Sequence, residues 1–247
     1  MIKELKKYID KEMFEPKFLG LFVNPFYIAR KGLIKSIKPL GKYIVGRTLD
    51  VGCGIKPYKK YFNSNHYIGV DLKTTLHHSE NNIDVYFDGK TIPFKNEQFN
   101  SVVTNQVLEH VFYPDLFLSE INRVLQTDGY LLITVPFVWD EHEQPYDYAR
   151  YSSFGLKHIL NKNGFEVINH IKTENNIKTI FQLFNGYIYK QVFNKKFFIR
   201  QISTLFVMAP ITILGIIFNI FLPDNDDLYL DNVVLAKKTN IVINRSL

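Results

Sequence analysis

The chain has 247 residues, 46% of them hydrophobic and 15% aromatic, enough for a sizeable buried core and unlike collagen-like, disordered or disulfide-rich sequences. Its single cysteine, Cys53, leaves no internal disulfide to form, which fits a reducing compartment and a cytoplasmic location. The formal charge of +6 is uneven: residues 1–47 hold eleven Lys/Arg against four Asp/Glu, giving +7, so the remainder sums to −1.

The first segment, residues 2–45, reads as helical, with Ile2, Leu5 and Tyr8 on one face and a break near Glu15-Pro16. Such a basic arm suits a polyanion or an anionic membrane surface, and equally a solvated Lys-rich helix; no nucleic-acid partner is expected. Its start has no apolar run or small-residue cleavage site of a secretory signal. From Arg47 strands and helices alternate. Strands are predicted at Thr48–Val51, Tyr67–Val70, Ile83–Phe87, Ser101–Thr104, Gly129–Val135 and Glu166–Ile171, and helices at Pro57–Phe62, Asp115–Leu125 and Phe154–Lys162. This order predicts an α/β fold: a mostly parallel sheet with helices on both faces.

Two apolar helices follow, at Ile177–Phe193 and Lys196–Leu222, and then a seventh strand at Asn232–Ala236. Thr204–Leu222 carries no charge and has the length of a membrane span, although Pro210 and Gly215 should interrupt it. The chain thus divides into a basic helical prefix (1–46), a core (47–176), a hydrophobic helical insertion (177–228) and a last core strand with its tail (229–247), one domain overall.

The chemistry begins at Leu49-Asp50-Val51-Gly52-Cys53-Gly54. Two glycines between a strand and a helix let the backbone turn tightly against a ligand, and the helix's first N–H groups face it. A nicotinamide cofactor calls for a third glycine at the position of Pro57. Asp50 would repel a pyrophosphate and attract a cationic amino group, so the expected ligand is an amino acid joined to a nucleoside. Asp71, 17 residues after Gly54 at the end of the second strand, suits both hydroxyls of a ribose. Asp88, in Asp88-Gly89 after the third strand, suits an adenine amino group or simply a turn.

These residues resemble the class I S-adenosylmethionine-dependent methyltransferases, from about Arg47 to Lys172. The Gly52–Gly54 loop looks like the family's first motif and Tyr67–Leu72 its second. Phe87–Val103 resembles its third strand, connecting loop and fourth strand; Asn105–His110 is similar to the segment that follows; Leu125–Pro136 resembles its fifth-strand turn. The resemblance implies a Rossmann-like seven-stranded fold with an apolar insertion before the last strand. It also implies S-adenosylmethionine contacts at Asp50, Gly52, Cys53, Gly54, Asp71 and Leu72, with Asp88, Gly89, Asn105 and Gln106 completing the cradle. Lys56 departs from it, standing where many members carry a third glycine.

Methyl transfer to a hydroxyl needs a proton acceptor past the carboxyl ends of the strands. Two clusters qualify: Glu109-His110, and the polar stretch from Trp139 to Tyr151. His142 is the preferred base, with Glu143 and His110 as its companions, and Tyr146, Asp147, Arg150 and Tyr151 are expected to face the acceptor; the plainer reading is a surface loop with a buried Arg–Asp pair. The stretch resembles one in a branch of the family associated with bacterial surface-glycan genes, implying a sugar or lipid-linked glycan acceptor. A lipid or quinone acceptor, or a non-catalytic cofactor-binding protein, are the alternatives. Glu109, His110 and His142 are also similar to the Glu-x-x-Glu-His of magnesium-dependent relatives, but Gln106 replaces the first Glu, so no metal is expected. The insertion suits shallow membrane association at the inner face of the cell membrane, a lid or a dimer contact; the oligomeric state is open.

Overall fold

The computed structural model describes residues 2–73 and 82–239, with side chains from Tyr8 onward. The side chains of Ile2 and Leu5 and the tail 240–247 lie outside the described residues. The chain divides into two compact units: the residues up to Lys35 with Val138–Asp140 and Lys172–Asp231, and Ser36–Phe137 with Glu141–Ile171 and the residues from Asn232 onward.

The second unit is built on a seven-stranded sheet. Its strands are β1 (Val45–Val51), β2 (Asn63–Leu72), β3 (Val85–Phe87), β4 (Phe99–Asn105), β5 (Leu125–Pro136), β6 (Phe165–Lys172) and β7 (Asp231–Lys238), in the order β3-β2-β1-β4-β5-β7-β6. The pairs β1/β2, β1/β4, β2/β3 and β4/β5 are parallel. Such a sheet is covered on both faces, which is why Leu49, Val51, Val102, Val103, Leu131 and Ile133 are fully buried and β1, β4 and β5 read as near-continuous apolar runs. Strand order reverses beside β1, opening a crevice at the carboxyl ends of β1 and β4.

Helices α4 (Pro114–Val124) and α5 (Ser153–Lys162) contribute to this core, α4 through Phe117, Leu118, Ile121 and Val124, α5 through Leu156 and Leu160. Pro114 occupies the first turn of α4, where no N–H is missed, and the Ser152 hydroxyl caps α5 by accepting from the Gly155 N–H (3.2 Å). The strands run two to four residues beyond their predicted limits in several places, β2 starting at Asn63 rather than Tyr67.

One predicted element is absent. Pro57–Phe62 is not an α-helix; a single 3-10 turn, Lys59–Tyr61, stands there. Lys56 adopts φ +55 and Phe62 is already extended, which leaves too few residues for a second helical turn. The Gly52–Gly54 loop therefore has no helix N-terminus behind it.

In the first unit, helices α1 (Ile2–Phe14), α2 (Gly20–Val23) and α3 (Tyr27–Leu40, whose last turn enters the second unit) make up the helical prefix, with the expected break after Phe14 and a further one after Val23. Helix α6 (Lys178–Val192) lies antiparallel to α8 (Ala209–Phe221), which α7 (Phe197–Ser203) and a π-helical turn (Thr204–Met208) precede without interruption. The helix is thus not broken at Pro210 or Gly215. The wide turn sits just where Pro210 cannot donate to a preceding carbonyl. A Cβ on Gly215 would lie 2.8 Å from Phe181 Cβ, so glycine there permits close helix packing.

The packing of this pair is inside out. Thr204, Met208, Thr212 and Gly215 are buried, as are Thr179, Gln182 and Asn185 of α6. Asn185 donates to the Met208 carbonyl (3.2 Å) and the Thr212 hydroxyl (2.8 Å), and Gln182 to the Pro25 carbonyl (3.0 Å). Phe206, Ile220 and Phe221 face outward at 70–77% exposure.

Candidate active site

The loop after β1 is held in place by its neighbours. The Gly52 and Cys53 N–H groups donate to the Val70 carbonyl (2.9 and 3.1 Å), and the Gly54 N–H donates to Asp71 Oδ2 (2.8 Å). The other Asp71 oxygen accepts from the Leu72 N–H (2.7 Å). Gly52 has φ +71, and a Cβ there would stand 2.4 Å from Val107 Cγ2. The segment after β4 therefore presses on the loop, a contact no sequence spacing announces. At Gly54, φ +46, a Cβ would meet nothing within 4 Å: this corner faces open space.

Asp50 is buried at the end of β1 and accepts a hydrogen bond from the Tyr67 hydroxyl (2.6 Å). Burial raises its carboxyl to about 7 against the opposing pull of the Tyr67 hydroxyl and the Lys56 ammonium. Burial, with Asp50 beside it, pushes the Cys53 thiol up to about 12, so Cys53 packs and does not act as a nucleophile. Lys56 runs across Gly69 to an ion pair with Asp84 (2.5 Å), which accounts for a lysine at a position where its φ favours glycine.

Asp88 closes its own turn: Oδ1 accepts from the Lys90 and Thr91 N–H groups (2.8 Å each), which hold the carboxyl below its usual range, and Gly89 follows at φ +78. After β4, Asn105 ends the strand and Gln106 sits at φ +55, its N–H on the Thr134 carbonyl (2.9 Å) and its amide donating to Thr134 Oγ1 (3.2 Å). Lys56, Gln106 and Glu143 are non-glycine residues with positive φ in the loops after β1, β4 and β5, and Glu97, Asp128 and Glu174 share this conformation elsewhere.

The two acceptor-side clusters predicted from sequence meet in space. The Glu109 carbonyl accepts from the Tyr148 and Ala149 N–H groups (2.8 and 3.2 Å), pinning the loop after β5 to the turn after β4. The rings of His110 and His142 then stand 4.8 Å apart at 81°. His110 Nδ1 is 2.9 Å from the Tyr146 carbonyl, which only accepts, so Nδ1 carries the proton. His142 Nδ1 is 3.3 Å from Asp147 Oδ2. Glu143 Oε2 lies 3.8 Å and Glu109 Oε1 3.9 Å from His110 Nε2.

Asp147 and Arg150 are joined to each other, the Arg–Asp pair of the plainer reading of this loop. Both guanidinium Nη atoms donate to the carboxylate (2.6 Å each), and the His142 N–H donates as well (2.9 Å). Burial would raise the Asp147 carboxyl, but Arg150 and His142 outweigh it and hold it at about 2. The pair works as a clamp on His142. Tyr146 is exposed, while Tyr151 packs against the core, its hydroxyl pushed up to about 12 by burial and by Glu109. Trp139 and Asp140 belong to the other unit.

Residues 49–133 match the family model described as a methyltransferase domain. Two uncharacterized proteins of Methanocaldococcus jannaschii are similar to this chain. One is 33% identical over 104 residues, covering 40% of this chain and 50% of that protein; the other is 28% identical over 143 residues, covering 55% and 53%. The chain spans about half the length of these curated relatives. Among solved structures, the cyclase SpnF has a TM-score of 0.56 at 16% identity, covering 85% of this chain and 82% of that one. A Haemonchus contortus phosphoethanolamine N-methyltransferase 2, solved with S-adenosyl-L-methionine, has a TM-score of 0.56 at 21% identity, covering 95% and 57%. At such identities the likeness is one of fold, and the presence of a cyclase among these structures means that the fold leaves the reaction open.

Proposed function

We propose that this chain, whose residues 49–133 form a methyltransferase domain, is an S-adenosylmethionine-dependent methyltransferase acting on a hydroxyl of a sugar or lipid-linked surface glycan. One observation supports it first: Asp50 and Asp71 converge on the Gly52–Gly54 loop at the carboxyl ends of β1 and β2, and Gly54 opens into free space. The residues fit the cofactor. Asp71 keeps acceptor lone pairs for ribose hydroxyls beyond the two N–H groups it already takes, and Asp50 is a buried carboxyl suited to a cationic amino group. Bound S-adenosylmethionine supplies a methyl group already activated on a sulfonium. Positioning can then carry much of the rate. The chain's own task is to hold the acceptor and remove its proton, which His142 Nε2 takes while Asp147 and Arg150 keep the ring oriented.

Asp50 gives this reading a pH test. Its carboxyl titrates at about 7 before a cation is bound, and a cationic ligand favours the ionised form. Between pH 7 and the ligand amino group's own pKa, about 8, the carboxylate is ready and affinity for S-adenosylmethionine is level. Below pH 7 the proton must leave, so affinity should fall by up to about tenfold per pH unit. Calorimetry in buffers of different ionisation enthalpy should register proton release on binding at pH 6, and Asp50→Asn should abolish it. A flat pH profile would remove Asp50 from cofactor binding.

The inside-out packing of α6 and α8 favours an acceptor at a lipid surface, and equally supports the second reading of a lipid or quinone methyltransferase. A water-facing helix buries its apolar stripe. This pair buries threonines, Gln182 and Asn185 and turns Phe206, Ile220 and Phe221 outward, the pattern of helices packed in lipid. Lys190, Lys195, Lys196 and Arg200 cluster around the α6–α7 corner, so inserting that corner as a hairpin tip would bury charge. Lying in the interface lets the cations meet anionic headgroups while the apolar face enters the acyl boundary. The expected result is sedimentation with anionic vesicles at low salt and partial release at high salt. Deleting residues 203–222 should abolish it. A chain that stays in the supernatant at low salt would turn this face into a lid or a contact between copies. A turnover assay with lipid-linked glycan, quinone and phospholipid acceptors separates the readings, and absence of methyl transfer to any would leave a cofactor-binding protein without that activity.

A further inference from the structure

We propose that Glu109, His110 and His142 form a binding site for one divalent transition-metal ion, zinc in the first instance. One ligand atom from each of the three lies within 4.8 Å of the others. Three ligands around an ion at about 2.0–2.2 Å stand roughly 3–4 Å apart, so small side-chain rotations bring these atoms into coordination. The orientation of the rings matters more than the distance. His110 Nδ1 donates to the Tyr146 carbonyl, which leaves Nε2 as its lone-pair nitrogen; His142 Nδ1 stands between Asp147 Oδ2 (3.3 Å) and Arg150 Nη2 (3.5 Å), and the tautomer that donates from Nδ1 to Asp147 turns Nε2 of this ring to the ion as well. Imidazoles that bind metals are fixed in this way, one nitrogen anchored on a carbonyl or carboxylate and the other on the ion.

The third donor, Glu109, has a side chain that is 0% exposed, while those of His110 and His142 are 15% and 29% exposed. The buried Glu109 carboxylate and the two imidazoles bring one oxygen and two nitrogens to one point, an arrangement that a cation stabilises. Glu143 Oε2, 3.8 Å from His110 Nε2 and more exposed, stands at the solvent side, where a further ligand or a substrate oxygen would enter. Two nitrogens and a carboxylate select Zn²⁺, Mn²⁺, Fe²⁺ or Co²⁺; Mg²⁺ and Ca²⁺ prefer all-oxygen shells. The expectation of no metal rested on Gln106, but Gln106 turns its amide to Thr134 and takes no part. The donors come from two loops, after β4 and after β5, which only the folded chain joins.

With an ion in place His142 Nε2 holds metal instead of a proton, so its role as base belongs to the metal-free chain. The inference is read by binding alone and stands apart from methyl transfer. The full chain is stripped with a chelator, dialysed and titrated with Co²⁺, following the visible absorption of the bound ion. The expected result is one equivalent bound, displaced by equimolar Zn²⁺ and not by excess Mg²⁺. His110→Asn and His142→Asn should each weaken Co²⁺ binding at least about 10- to 100-fold, the loss typical even for outer partners of a metal ligand. Thermal unfolding and S-adenosylmethionine binding check that the variants are folded, and His158→Asn on α5 is the control. As a measurement needing no variant, Zn²⁺ should protect His110 and His142 of the wild-type chain from diethyl pyrocarbonate, read by peptide mass. Co²⁺ binding no tighter in the wild type than in the folded double variant, or equal modification with and without Zn²⁺, overturns the site.

Discussion

Replacing His142 by alanine should lower turnover of the metal-free enzyme on a hydroxyl acceptor by roughly 10²–10⁴-fold, the range for loss of a general base. That is about 2.7–5.5 kcal/mol of the barrier. The size follows from the clamp around the ring. Asp147 meets Nδ1 and the His142 N–H, and Arg150 grips both Asp147 oxygens, so the imidazole is presented with Nε2 outward at little further cost in ordering. Affinity for S-adenosylmethionine should stay near that of the wild type, because the cofactor loops after β1 and β2 make no use of His142. Asp147→Asn should produce a smaller fall in turnover through a loosened ring. Wild-type turnover in His142→Ala would move the role to Glu143 or His110, or mean that the acceptor needs no base.

Asp71→Ala should weaken S-adenosylmethionine binding by about 2–4 kcal/mol, the loss of two hydrogen bonds to a charged acceptor. In affinity this is roughly 30- to 700-fold. Part of the loss belongs to the loop, since Asp71 also accepts from the Gly54 N–H and so sets the shape of the cradle. Asp71→Asn separates the two contributions: its amide oxygen can still hold Gly54, while its NH₂ cannot accept from a ribose hydroxyl. A large loss in both variants assigns the effect to the ribose; a loss in alanine alone assigns it to the loop. Calorimetry giving unchanged affinity in Asp71→Ala would sink its role in cofactor binding.

Much of the sheet could be read along the chain because each strand's signal is local. Thr48–Val51, Ser101–Thr104 and Gly129–Val135 are short, mostly apolar and buried stretches bounded by turns, and their neighbours in sequence are also helices or strands of the same core. The failure at Pro57–Phe62 is equally local in cause but was hidden: Pro57 looks like the start of a helix, and only the positive φ of Lys56 and the early onset of β2 rule it out. Asp147 and Arg150 read along the chain either as acceptor contacts or as an Arg–Asp pair, and their contact, three residues apart, forms the pair.

The amino-acid sequence by itself determined the positions of Asp50, Gly52, Gly54 and Asp71 at strand ends, because glycine spacing and strand periodicity act over a few residues. It also determined that residues 204–222 would form an uncharged apolar segment. Only the tertiary structure decided which way that segment faces, since the choice between burying Phe206 and burying Thr212 depends on the partner helix α6 and its Asn185. It alone decided that Val107 closes against Gly52, and that Glu109 and His110 meet His142 across 32 residues of chain. Those contacts follow from β4 and β5 lying side by side in parallel, which carries the two loops to the same end of the sheet. Pairing of that kind is a property of the assembled core, where the order of strands is set by packing between elements and not by any short run of residues.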